Sequence, residues 1–186
     1  MKTVIGLVGE KAGGKGTFTE ILKSLLPNKK IAYAKFSDIL TDSLKLWGLE
    51  LTRENYQKLS IAMRNTFGDG TLTQAIQNRI KTMDADIVIL DGIRWESDLK
   101  LLRSFPANLL VYVTASAELR HTRSQKRGEK AGEENATFEQ FMKEEEAETE
   151  RAIPKIGMSA DCTIVNDEEM PQLEQKVRKF CYVFLP

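Results

Sequence analysis

The residue types best suited to chemistry stand together near the N-terminus: Gly9, Glu10, Lys11, Ala12, Gly13, Gly14, Lys15, Gly16 and Thr17. Gly9, Gly13 and Gly14 permit backbone conformations that turn successive N–H groups inward as an anion nest. A helix opening near Lys15 aims its positive end at the same point. Lys15 adds a point charge suited to the β- and γ-phosphates of a nucleotide. An apolar strand-like run precedes this loop and a helical run follows it, the setting in which such a loop holds phosphate.

A second constellation is Asp91, Gly92, Ile93 and Arg94, directly after the apolar run Ile87, Val88, Ile89 and Leu90. A carboxylate at the C-terminal end of a buried strand beside a phosphate loop is the expected ligand of Mg²⁺ or of its waters, and Arg94 emerges at the same edge. Further along, Arg120, Arg123 and Arg127 are spaced by three and four and share one helix face, with Lys126 and Lys130 nearby. A transferring phosphoryl group gathers negative charge as a site closes, so Arg123 and Arg127 are expected to neutralise it. Asp38, Arg64 and Arg94 form the expected acceptor site, with Arg53 as a further candidate.

The elements that must position these groups follow from periodicity. Strands are expected at 3–8, 31–36, 86–90, 109–113 and 162–165. Helices are expected at 15–26, 38–47, 95–104, 116–127, 137–152 and 168–180, and a purely helical stretch at 52–83 is punctuated by Gly68, Asp69 and Gly70. Pro154 and Gly157 are expected to break the helix before them, and 128–136 reads as a mobile polar loop. Alternating strands and helices imply an α/β fold: a five-stranded parallel sheet covered on both faces. Two helical excursions interrupt it, an acceptor-binding insert at about 37–83 and a lid at about 128–152. The core comprises 1–36, 84–127 and 153–186. Strand order does not follow from periodicity.

Composition narrows the class. In 186 residues, Lys+Arg and Asp+Glu each number 27, so there is no basic excess to recommend nucleic acid as a partner. Cys162 and Cys181 are far apart, and with the single His121 they cannot complete a four-ligand metal site; they read as buried reduced thiols, and His121 as a solvated helix residue. Trp47, Tyr56 and Phe67 read as core packing rather than base-stacking partners, and Glu144, Glu145 and Glu146 as a solvated face. With no secretory segment and no long apolar run, a cytoplasmic protein is expected.

The hydroxyl that usually follows the loop lysine comes one residue late, as Thr17, with Gly16 in between. In this the chain resembles the adenylate kinase and nucleoside monophosphate kinase families, whose loop reads G-x-x-x-x-G-K-G-T. The resemblance implies a three-layer P-loop kinase fold, ATP and Mg²⁺ as cofactors, and Thr17 in contact with the ATP phosphates. It further implies that Mg²⁺ is held largely through water, with Asp91 as the water-mediated ligand and Thr17 as a second metal contact. The nucleotide-contacting set it suggests is Gly9, Lys11, Ala12, Gly13, Gly14, Lys15, Gly16, Thr17 and Phe18, with Arg123. Asp91 to Arg94 looks like the Asp-Gly-Phe-Pro-Arg element of adenylate kinases, one residue shorter. It is closer to an archaeal dephospho-CoA-kinase-like, adenylate-kinase-related group that carries Asp-Gly-Ile-Arg. That likeness extends over most of the chain, through Phe36, Ser37 and Asp38, through Arg64 followed by Gly68, through Ile156 and Gly157, then Ala160 and Asp161, to Ile164, Val165 and Asn166. One departure stands out: where the family has an arginine in the helix after the lid, this chain has Phe141, Met142, Lys143 and three glutamates, leaving Lys143 or Arg151 as substitutes.

These features imply a kinase acting on a small nucleotide, a nucleoside or deoxynucleoside monophosphate. One alternative is a dephospho-CoA kinase, with Asp38 as general base toward a ribose hydroxyl. Another is a regulatory ATPase acting on a protein or RNA partner. The guanine motif Asn-Lys-x-Asp and the transporter run Leu-Ser-Gly-Gly are both missing from the sequence.

Overall fold

The computed structural model describes residues 2–68, 70–128 and 133–185. Five parallel strands, β1 (Thr3–Val8), β2 (Ile31–Lys35), β3 (Ile87–Asp91), β4 (Asn108–Thr114) and β5 (Cys162–Val165), form one sheet in the order β2-β3-β1-β4-β5. The helices are α1 (Lys15–Leu25), α2 (Phe36–Leu46), α3 (Arg53–Phe67), α4 (Gly70–Thr82), α5 (Glu96–Arg103), α6 (Ala117–Arg127), α7 (Phe138–Glu145), α8 (Ile153–Gly157) and α9 (Met170–Phe184).

Period-two alternation divides the core into two layers. Val4 and Val8 of β1 and Val88 and Leu90 of β3 face one cluster, with Ile76 and Ile80 of α4, Leu101 and Leu102 of α5 and Ile156 of α8. Ile5, Leu7, Ile87 and Ile89 face the other, with Phe18 and Leu22 of α1 and Val177 and Phe180 of α9. Both faces of β1 and β3 are therefore buried, as a doubly covered parallel sheet requires. β1 is followed by β2 two places away on one side and flanked by β4 on the other. The chain thus reverses its winding direction at β1, and the C-terminal ends of β1, β3 and β4 open onto the crevice this creates.

Several local expectations are revised. The helix from Phe138 stops at Glu145 instead of running to 152, and Pro154 opens α8 rather than ending a helix. A proline lacks an N–H that the first helical turn leaves unused, so it suits a start. α9 continues to Phe184. Trp47 and Phe67 are exposed rather than core residues: Trp47 caps the end of α2, and α3, which ends on Phe67, has no fully buried position. His121 is not solvated: its Nε2 pairs with Ala136 O at 2.7 Å and its ring lies against Phe138 and Phe141. Cys162 and Cys181 are free thiols, half-buried, and burial raises the pKa of both. Lys130 and Asp69 lie outside the described residues. Among the described residues, no helix is long and apolar enough to cross a membrane.

Candidate active site

The loop between β1 and α1 is shaped by contacts that only small residues allow. A Cβ on Gly9 would collide with Val113 O at the end of β4, and Gly14, at φ 107°, leaves room for the Asn166 amide. That amide donates to Gly13 O at 3.1 Å, so the residue after β5 pins the loop from beneath. Glu10 anchors its other side, accepting hydrogen bonds from Tyr112 Oη and from Thr114 Oγ1 (2.8 Å) on β4. Lys15 Nζ folds back to donate to Gly9 O at 2.5 Å and Glu10 O at 3.0 Å. Burial lowers its pKa below the ordinary lysine value, opposed by the nearby Asp91 carboxylate.

Asp91 ends β3 beside this loop. Its Oδ2 accepts from Tyr33 Oη at 2.5 Å, while Oδ1 is buried without a hydrogen-bond partner. A buried carboxylate oxygen is rarely left unfilled, and an oxygen held rigidly at the mouth of a phosphate nest suits a hydrated divalent cation. The donor set therefore fits Mg²⁺ accompanying a nucleotide.

A cavity of about 360 Å³ runs from the loop to the helical insert. Gly9, Lys11, Ala12, Lys15, Asp91 and Arg94 line it, together with Arg64 and Arg127. Arg64 stacks on the Trp95 ring at 4.0 Å. The cavity also gathers residues the sequence reading passed over, Lys35, Trp95, Glu133 and Glu150, and Tyr56, which it had read as core packing. Arg53 enters it too, donating to Glu144 Oε2 at 2.8 Å and lying 3.6 Å from Glu150 Oε1. Lys11 pairs with the same Glu144 oxygen at 3.0 Å and with Glu133 at 2.9 Å. Arg94 Nη1 pairs with Glu150 Oε1.

Other expected site residues lie elsewhere. Asp38 does not line the cavity; its carboxylate accepts the Lys35 N–H at 2.9 Å, because the chain turns straight from β2 into α2 and needs a cap there. Phe18 is fully buried, edge-on to Phe180, and its N–H is taken by Gly14 O, so it belongs to the core. Thr17 and Gly16 stand in the first turn of α1, outside the cavity lining, and so do Gly13 and Gly14 in the loop. Arg123 is half-buried away from the lining, with Nη1 unpartnered. Arg120 is structural, bound to Ala115 O and to Glu145. The three glutamates are not one solvated face, since Glu144 and Glu145 hold Lys11, Arg53 and Arg120. Lys143 is exposed, and Arg151 donates to Glu146 O and borders only a smaller neighbouring cavity.

Asp98, in the first turn of α5, also lines the cavity, and both Arg94 and Trp95 donate their N–H groups to it at 3.0 Å. Burial pushes its pKa up to about 6. A carboxyl raised in the folded state contributes stability that is complete below its unfolded value near 3.8 and is lost as pH rises through about 6. Asp98→Asn keeps an acceptor for the two N–H groups and removes the buried charge. It should raise unfolding free energy by about 1–2 kcal/mol at pH 7.5 and leave it nearly unchanged at pH 4. Urea melts at the two pH values read this directly, and a gain of equal size at both would contradict it.

No family model matches the chain. Its similar relatives include a UPF0200 protein of Methanoculleus marisnigri, 26% identical over 176 residues and covering 94% of this chain and 93% of that protein. A UPF0200 protein of Methanocaldococcus jannaschii is 28% identical over 169 residues, with 89% and 82% covered. Among solved structures, shikimate kinase from Bacteroides thetaiotaomicron aligns with a TM-score of 0.61 at 12% identity, covering 97% of both chains. Shikimate kinase from Acinetobacter baumannii, in complex with shikimate, aligns at 0.60 and 16% identity, covering 98% of this chain and 94% of that one. The fold is thus that of the shikimate-kinase-like P-loop kinases: a five-stranded parallel sheet flanked by helices.

Proposed function

We propose that this chain is an ATP- and Mg²⁺-dependent kinase that transfers a phosphoryl group to a small anionic nucleotide, a nucleoside or deoxynucleoside monophosphate. The observation that carries this reading is one cavity that brings Gly9, Ala12 and Lys15 of the phosphate loop and a half-open Asp91 together with Arg53, Arg64 and Arg94. A donor and an acceptor that both bear negative charge need such cations on both sides of the reacting phosphorus.

In this reading the loop N–H groups and Lys15 hold the ATP phosphates, with Thr17 at the helix start beside them. Mg²⁺, when bound, offsets charge on the β- and γ-phosphates, and Asp91 Oδ1 is the group that would hold it through water. Lys15 holds the γ-phosphoryl group in line with an acceptor oxygen, which bonds to the γ-phosphorus as the bond to the bridging oxygen breaks and ADP leaves. Arg94 and Arg127, which line the cavity, offset the charge that gathers during transfer, while Arg123 stands outside the lining. Residues 37–83 serve as the acceptor lobe and 128–152 as the lid. The likeness to shikimate kinases supports phosphoryl transfer to a small molecule.

The dephospho-CoA kinase alternative loses its proposed base, since Asp38 caps α2 outside the cavity. A coupled ADP-release assay with Mg²⁺ and ATP, run across ribo- and deoxyribonucleoside monophosphates, dephospho-CoA and shikimate, tests the proposal. A strong increase with one monophosphate is expected. A rate that no acceptor changes would overturn it in favour of the regulatory ATPase.

A further inference from the structure

Residues 144–150, the end of α7 and the start of its link to α8, supply carboxylates to the surroundings of the cavity, and Glu150 differs from its neighbours. It is only 7% exposed and lines the cavity. All of its contacts fall on one oxygen: Oε1 meets Arg94 Nη1, Arg53 Nη2 at 3.6 Å and Thr149 Oγ1 at 3.3 Å. Its other oxygen, Oε2, makes no hydrogen bond with any described residue. Arg94 meanwhile spends a single guanidinium nitrogen on Glu150 and is 41% exposed, so it keeps donors for a ligand. One largely buried carboxylate thus sits between two cations with half its accepting capacity open to the cavity, where a ligand's donor can reach it.

We propose that Glu150 determines which acceptor is taken. Arg53 and Arg94 hold the acceptor's anionic group, and Glu150 Oε2 accepts a hydrogen bond from a hydroxyl close to that group. The substrate class is therefore a hydroxylated anion. This inference rests on reading the cavity as the acceptor site of a kinase. Two effects select for the class. A hydroxyl donor gains a charge-assisted hydrogen bond, while an anion without one meets the carboxylate's repulsion with nothing to offset it.

The test uses two phosphates on the same three-carbon skeleton, sn-glycerol 3-phosphate and propyl phosphate, titrated calorimetrically into the full chain saturated with ADP and Mg²⁺. Glycerol 3-phosphate should bind the wild type about tenfold more tightly or better. Glu150→Leu should bring the two within about threefold, chiefly because propyl phosphate tightens once the carboxylate is gone. Glu150→Gln, whose amide oxygen still accepts, should retain part of the preference, and it serves if the leucine variant folds poorly. Equal affinities in the wild type, no binding of either phosphate, or a preference that survives Glu150→Leu would overturn the proposal. ADP affinity is measured in the same proteins, because Glu150 also acts on Lys15, and the acceptor preference is compared at ADP saturation in each. Failure of ADP to bind the wild type would instead remove the kinase reading beneath it.

Discussion

Lys15→Ala should reduce acceptor-dependent ADP release by about a thousandfold, the upper range for removing one charge that stabilises a transferring group. The ammonium folds against the loop at the cavity wall, and burial lowers its pKa. Gly9 O and Glu10 O hold it in the ligand-free chain. A γ-phosphate offers it better acceptors from the same side, so the group is already in place when the nucleotide arrives. The fold should not suffer. Alanine removes an ion whose desolvation opposes folding, and the two carbonyls it frees sit at a cavity wall where water can reach them. The thermal midpoint should therefore stay within a few degrees of the wild type. Turnover near normal, measured by coupled ADP release beside a thermal melt, would sink the role given to Lys15.

Asp91→Asn should have the next largest effect, a loss of about a hundredfold to a thousandfold together with a higher Mg²⁺ midpoint. The asparagine can keep its oxygen toward Tyr33 Oη, which now donates to Oδ2 at 2.5 Å. The position of the open Oδ1 then becomes an N–H₂ group, which repels a cation and its waters instead of binding them. Tyr33→Phe is the control. It leaves the carboxylate in place but frees its rotamer, so a loss of about tenfold with a smaller change in Mg²⁺ midpoint is expected. Titrating Mg²⁺ at fixed ATP separates the two variants. An unchanged midpoint in Asp91→Asn would remove Asp91 from any metal role.

The phosphate loop was legible because its signal is local. Gly9, Gly13, Gly14 and Lys15 are consecutive or nearly so, and a strand, a nest and a helix start must all fall within 15 residues. Asp91 was legible for a similar reason: a short, wholly apolar run ends on it, and β3 is buried from Ile87 to Asp91. Asp38 shows the limit of that approach. The same position after β2 supports a ligand or a helix cap, and only the path of the chain into α2 decides for the cap. Phe18 shows a second limit, since a residue adjacent to a loop motif can turn its side chain fully into the core.

The glutamates of 144–150 mark the largest difference. Read in sequence they form a run of charge, and runs of charge are usually solvated. In the fold, the last turn of α7 places Glu144 against Lys11 and Arg53, and the segment after its early end places Glu150 against Arg94. Glu150 is separated by 56 residues from Arg94, and Lys11 by 133 from Glu144. Periodicity carries no information about such pairs.

By itself the sequence determined the alternation of strands and helices, the two covered faces of the sheet, and the phosphate loop with its acidic neighbour. All of these depend on side-chain pattern and backbone freedom within a few residues. Only the tertiary structure decided the strand order β2-β3-β1-β4-β5, the selection of Arg94 and Arg127 rather than Arg123 for the cavity, and the place of Glu150 between two arginines. Those outcomes depend on which distant segments come to share one crevice. Packing and charge across the whole chain set that, and no local window records it.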